Sequence, residues 1–127
     1  MNVVAVVAQM LVRLAGVILV ILGLLFWTGN ALNLVPLHIW TGFVLVLAFW
    51  VLAIGAGLAG LGAGRVLLAI LWGVFVVYFG LTHGQILPGS AHWVIEVLHL
   101  AVGLVTVGLG ERLGALIKAA RSRGVQA

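Results

Sequence analysis

The sequence predicts an all-α integral membrane protein, built as a bundle of four transmembrane helices. Of its 127 residues, 65% are hydrophobic and only 6% are charged, whereas a soluble domain carries about 25% charged residues. The apolar residues form four long stretches, separated by short segments that contain Gly, Pro, Asn or Ser. Each stretch is long enough for the roughly 20 residues that a helix needs to cross a membrane. We therefore expect a single transmembrane domain over residues 1–127.

The limits of the four spans are predicted from the turns between them. The turn at 29–36 ends in Pro36, which suits the first turn of a helix because its missing N–H has no partner there anyway. Glycines at 55–64 are expected to form the second turn, and residues 84–90 the third. The predicted spans are about 10–29, 37–59, 65–83 and 91–113, in an up-down-up-down arrangement. Residues 121–127 are expected to be frayed.

The basic residues predict the orientation in the membrane. The turns at 29–36 and 84–90 contain no Lys or Arg. All six basic residues fall on the opposite side of the bundle: Arg13, Arg65, Arg112, Lys118, Arg121 and Arg123. The positive-inside rule then places both termini in the cytoplasm of a multi-pass protein in a cell membrane of the bacterial inner-membrane type. Because this topology explains the net charge of +4, the expected partner is the lipid bilayer and not a nucleic acid.

The residue types that the chain lacks exclude several kinds of chemistry. There is no Cys and no Asp, and the only carboxylates are Glu96 and Glu111. Disulfides and thiolate metal sites are therefore excluded, as are paired-carboxylate hydrolysis and dinuclear carboxylate metal sites. The sequence leaves open whether the protein is an enzyme.

A polar stripe on the fourth helix is the main candidate for a site. Its members recur at steps of four, three, four, three and four, which places them on one helical face that we expect to point at the bundle axis. They are His92, Glu96, His99, Gly103, Thr106 and Gly110. An ionisable residue inside a membrane indicates a functional site, so Glu96 stands out. The alternative is a protonated Glu96 that joins helices through a hydrogen bond to His92 or His99.

A short motif is repeated in the two halves of the chain. Leu-His-x-x-x-Gly occurs at 37–42 and at 98–103, and in each half it follows an aromatic pair, a turn and a proline. This weak repeat predicts two similar helical hairpins. A glycine one turn from a histidine leaves a flat space beside the imidazole, which is the kind of space that a porphyrin needs.

These motifs resemble the arrangement in small membrane-bound b-type cytochromes, which are four-helix bundles with histidine ligands. The resemblance implies a haem b held axially by His38 and His99. Gly42 and Gly103 would lie beside the ring, and Glu96 would tune it or relay protons. Electrons would pass to or from a quinone or a partner protein. On the predicted spans, His38 lies about two turns nearer the outer surface than His99.

Other functions remain open. A single zinc or copper ion fits the donor types of His83, His92, Glu96 and His99, several of which share one helical face. The histidines would instead be structural contacts if the chain is a non-catalytic subunit of a larger membrane complex. In a channel or transporter, the stripe of the fourth helix would line a path. In each case we expect the chain to act as an oligomer or as a subunit.

Overall fold

The computed structural model describes residues 2–126, and within them there are four long helices and no strand. The helices are α1 (Val3–Trp27), α2 (Val35–Leu58), α3 (Ala63–Thr82) and α4 (His92–Gln126), with short 3-10 turns at Leu32–Leu34 and His83–Gln85. The prediction of an all-helical, four-helix protein is confirmed. All four helices are long and apolar enough to cross a membrane.

Two helices extend beyond the predicted spans. Helix α1 begins at Val3 because the side chain of Asn2 caps it, accepting a hydrogen bond from the backbone N–H of Ala5 at 2.8 Å. Helix α4 continues to Gln126, through residues predicted to be frayed. Its buried Leu113 and Ile117 pack into the core, so packing supports the helix well past the predicted limit; Ala127 lies outside the described residues.

Glycines set the spacing between the helices. A Cβ atom on Gly16 would lie 2.6 Å from Val107 on α4, and one on Gly110 would lie 2.9 Å from Val12 on α1. Gly73 of α3 likewise lies directly against Trp50 of α2. Helix α2 contacts the other three helices, whereas within the described residues α1 and α3 do not meet. Small residues at these crossings let the backbones approach closely, as is typical of membrane helices.

The two ends of the bundle differ. The end that carries the chain termini, here called the terminal end, is filled by fully buried side chains that include Val12, Phe49 and Leu52. The opposite end holds both 3-10 turns and all four histidines, and is called the histidine end. The packed terminal end gives the bundle its rigidity, and the histidine end is free to form a site.

Polar contacts join α4 to its neighbours in the rest of the bundle. At the terminal end, Arg13 donates two hydrogen bonds to the carboxylate of Glu111, from Nε at 2.6 Å and from Nη2 at 2.8 Å. Gln9 donates a third at 2.9 Å. Nearer the middle, the indole N–H of Trp72 donates to the buried hydroxyl of Thr106 at 3.0 Å. These contacts connect α4 to α1 and to α3.

Candidate functional site

A cavity of about 470 Å³ occupies the histidine end and is lined by residues from all four helices. Its walls are mostly apolar, and its ionisable groups are His38, His83, Glu96 and His99. This volume lies within the roughly 300–1,000 Å³ that is usual for small-molecule and cofactor sites. An apolar cavity with a few convergent polar groups is the expected form of such a site.

His38 and His99 lie close together in the wall of this cavity. Their ring centroids are 6.1 Å apart, and their planes are inclined by 48°. The expectation that His38 lies two turns nearer the surface is therefore wrong. His38 is the fourth residue of α2 and His99 the eighth of α4, so α4 begins about one turn, or about 6 Å, further out than α2. The positions of the turns in the sequence do not reveal this offset between the starts of α2 and α4.

Each histidine lies against a glycine and an aromatic ring from the preceding helix of its own hairpin. For His38, the Cβ position of Gly23 is 3.8 Å from Cε1, and the ring of Phe26 is 5.4 Å away, edge-on. The equivalent values for His99 are 3.7 Å from Gly80 and 6.0 Å from Phe79. The repeat in the sequence therefore corresponds to a repeated environment in space.

The glycines of the two Leu-His-x-x-x-Gly motifs, Gly42 and Gly103, both belong to the cavity wall. A Cβ atom on either would meet nothing within 4 Å. Both therefore leave open space one turn beyond a histidine. The rest of the stripe on α4 also faces inward, since Thr106 is completely buried and Gly110 packs on Val12.

Both facing histidines carry a nitrogen that has no hydrogen-bond partner. Nδ1 of His38 and Nδ1 of His99 are buried, and no donor or acceptor among the described residues reaches them. Buried polar atoms in proteins are nearly always satisfied, and an exception calls for a ligand, an ion or a water molecule. These two nitrogens thus have no partner among the described residues, while both imidazoles belong to the wall of the cavity.

His83 stacks on His99. The two rings are parallel within 4° and their centroids are 4.1 Å apart. The Nδ1 atom of His83 lies 2.8 Å from the carbonyl oxygen of Gly80, and because a carbonyl only accepts, this nitrogen carries a proton and donates it. This hydrogen bond fixes the orientation of the His83 ring, and His99 stacks against the plane of that ring.

His92 and Glu96 form a hydrogen-bonded pair beside the cavity. Nδ1 of His92 donates to the carbonyl oxygen of Ile86 at 2.9 Å, and its Nε2 is 3.0 Å from Oε1 of Glu96. Both residues belong to α4, so this bond joins no two helices. Glu96 lines the cavity, whereas His92 lies at the outer start of α4. The hydrogen-bonded pair therefore extends from the first residue of α4 to the wall of the cavity.

The residues proposed for a zinc or copper ion do not form one ligand set. Over residues 2–126, no group of three or more His or Glu side chains is placed so that it could hold a metal ion. His83 stacks on His99, while His92 and Glu96 bond to each other. The mononuclear metal site stays a prediction to which this geometry adds no support.

Comparison with known proteins gives no relative from which a function could be transferred. The chain matches no protein-family model, no curated protein and no solved structure.

Proposed function

We propose that this chain is a multi-pass membrane protein that binds a b-type haem between His38 and His99 and passes electrons to or from a quinone or a partner protein. The observation that carries the proposal is the placement of these two imidazoles, from different hairpins, close together in the wall of one apolar cavity. Axial coordination by two histidines is an established way to hold haem iron.

The spacing of the two rings supports this assignment. Two imidazoles on opposite sides of one metal ion, each bonded at about 2 Å, have ring centroids about 6 Å apart. The centroids of His38 and His99 are 6.1 Å apart. The open space at Gly42 and Gly103 fits a flat, metal-containing ring better than it fits a packed interior.

The bound haem would supply reversible one-electron chemistry, and the protein residues would control its surroundings. His38 and His99 hold the group, while the apolar cavity walls limit the access of water. The positive-inside rule places the terminal end, with its Lys and Arg residues, in the cytoplasm. The histidine end and its cavity then lie toward the opposite face of the membrane, where a lipid-soluble electron carrier can approach.

The His92–Glu96 pair supports a role in proton exchange. Because Nδ1 of His92 donates to the Ile86 carbonyl, the contact between Nε2 and Glu96 needs one further proton, on either the imidazole or the carboxyl group. The pair therefore shares one mobile proton beside the cavity. Loss or gain of an electron in the cavity would change the charge next to Glu96, and the pair can compensate by releasing or binding that proton.

The alternative, that the histidines are structural contacts in a packing subunit, receives less support. Contacts of that kind in membranes are interhelical hydrogen bonds. The ring nitrogens Nδ1 of His38 and His99 make no hydrogen bond to any described residue, and the His92–Glu96 bond lies within α4. The contacts of His38 and His99 with neighbouring helices are ring and van der Waals contacts, with no hydrogen bond between helices.

A titration with haemin tests the proposal. The purified protein in lipid nanodiscs is titrated with haemin, and binding is followed by the Soret band. We expect saturation at one haem per chain for the wild type and for the control His92→Ala. A variant with both His38→Ala and His99→Ala should lose tight binding. Equal binding by the wild type and this double variant would refute the proposed site.

A further inference from the structure

His38 and His99 are held in different ways, although their surroundings are repeated. His99 lies against the segment 79–83, which supplies Phe79, Gly80 and the stacked ring of His83. His38 has only Gly23 and the edge-on ring of Phe26 in the equivalent places. No ring lies parallel to His38 among the described residues.

The support behind His99 is itself fixed. His83 donates a hydrogen bond to the carbonyl oxygen of Gly80, and Gly80 is also the residue whose Cβ position touches Cε1 of His99. One glycine therefore anchors the stacked ring through its carbonyl group and makes room for His99 through its missing side chain. A hydrogen bond from a ring nitrogen to a backbone carbonyl is the usual device for setting imidazole orientation.

The position of each histidine in its helix increases this difference. His38 belongs to the first turn of α2, directly after a 3-10 turn, and its neighbours Leu37 and Ile39 are exposed. His99 lies two turns inside α4, near the buried Ile95. His38 is therefore nearer to a helix end than His99, and helical structure opens more easily at an end than in the interior.

We propose, on the basis of the haem site proposed above, that His83 is a positioning residue for His99, which makes His99 the permanent ligand and His38 the exchangeable one. When the His38 ring moves away, it leaves a coordination position open on its side of the cavity. A small neutral ligand, such as imidazole or carbon monoxide, can bind there. The protein would then sense or bind such ligands as well as transfer electrons.

Separate removal of the two histidines tests the exchangeable position. His38→Ala should retain haem in a five-coordinate form, and added imidazole should restore the six-coordinate spectrum. His99→Ala should lose most of its haem, and imidazole should not restore it. Equal haem loss in both variants, or the reverse pattern, would overturn the proposal. If His38→Ala does not accumulate, His38→Gln serves the same test because it keeps a side chain of similar length.

The role of His83 is tested by the rate at which haem transfers to apomyoglobin. Relative to the wild type, His83→Ala should accelerate haem loss by about two- to tenfold, the equivalent of one stacked aromatic pair. His83→Phe keeps a ring in the stack and should restore a rate close to that of the wild type. Wild-type behaviour in His83→Ala, or equal acceleration in His83→Phe, would show that His83 does not position His99. A wild-type protein that holds no haem would instead refute the proposed function itself.

Discussion

A Cβ atom added to Gly80 would lie 3.7 Å from Cε1 of His99, so this glycine of α3 is in direct contact with an imidazole of α4. The distance is an ordinary van der Waals contact for a methyl group but leaves no space for a longer side chain. The contact makes the position of His99 depend on the size of a residue in another helix.

Substitutions of Gly80 should therefore show a graded effect. Gly80→Ala should keep its haem, whereas Gly80→Leu should displace the His99 ring and lower haem content by more than about tenfold, because a displaced axial ligand loses its bond to the iron. The measurement is the ratio of Soret to protein absorbance after purification. Gly108→Leu is the matched control, since this exposed glycine of α4 has nothing within 4 Å of its Cβ position. Equal haem loss in Gly108→Leu would contradict the explanation.

The two glutamates give a direct test of proton exchange at the site. In the wild type, the haem midpoint potential should fall as pH rises, by up to about 59 mV for each tenfold decrease in proton concentration. The sign follows because the reduced state carries one more negative charge and so favours the protonated His92–Glu96 pair. Glu96→Gln should remove this dependence, because the amide cannot exchange the proton. Spectroelectrochemical titration measures the potential.

Glu111→Gln is the control for this experiment. Glu111 is the only other carboxylate in the chain, and it is bonded to Arg13 and Gln9 at the terminal end, away from the cavity. This variant should keep the wild-type pH dependence. If Glu96→Gln and the wild type show the same slope, Glu96 does not exchange the proton.

The hydrogen bond from Trp72 to Thr106 should stabilise the contact between α3 and α4. Thr106 is completely buried, and its hydroxyl accepts from the indole at 3.0 Å. Thr106→Val preserves the shape but leaves the indole N–H without its partner, which should lower the free energy of unfolding by about 1 kcal/mol, in the range measured for membrane proteins. Unfolding in mixed micelles, followed by Trp fluorescence, measures the change.

Thr41→Val is the matched control for Thr106→Val. The hydroxyl of Thr41 bonds only to the Leu37 carbonyl of its own helix, at 2.7 Å. Its removal leaves no group of another helix unpaired and should change the stability little. A loss of stability in Thr41→Val as large as that in Thr106→Val would show that the hydroxyl, and not the contact between helices, is responsible.

The contact between Arg13 and Glu111 should make stability depend on salt. Two parallel hydrogen bonds join these residues, and both side chains are accessible to solvent. Glu111→Gln should therefore lower Tm at low ionic strength and have a smaller effect at high ionic strength, where salt screens the pair in the wild type as well. Arg112→Gln, which removes a neighbouring exposed charge, should show no such difference. A shift in Tm for Glu111→Gln that is independent of salt would contradict this account.

The sequence was sufficient to predict four helices because hydrophobicity extends over stretches much longer than a turn. The full extent of α4 was not predicted, since Ile117 packs against distant parts of the chain and the helix continues beyond it to Gln126. The helix propensity of the neighbouring residues does not predict such a contact.

The candidate site was predicted less completely. The repeated motif identified His38 and His99, but their relative depth was wrong because it depends on how far α4 projects beyond α2. The stacking of His83 on His99 was not predicted, since it depends on the 3-10 turn His83–Gln85 that folds back at the end of α3. The bond from His92 to the Ile86 carbonyl was also missed because it requires the course of the loop between α3 and α4.

The absorption spectrum of the protein, extracted gently from membranes of cells supplied with haem, tests the central proposal most directly. The oxidised protein should show a Soret band, and dithionite should sharpen it and resolve α and β bands, as expected for iron held by His38 and His99. A featureless spectrum under the same haem supply would contradict the haem site.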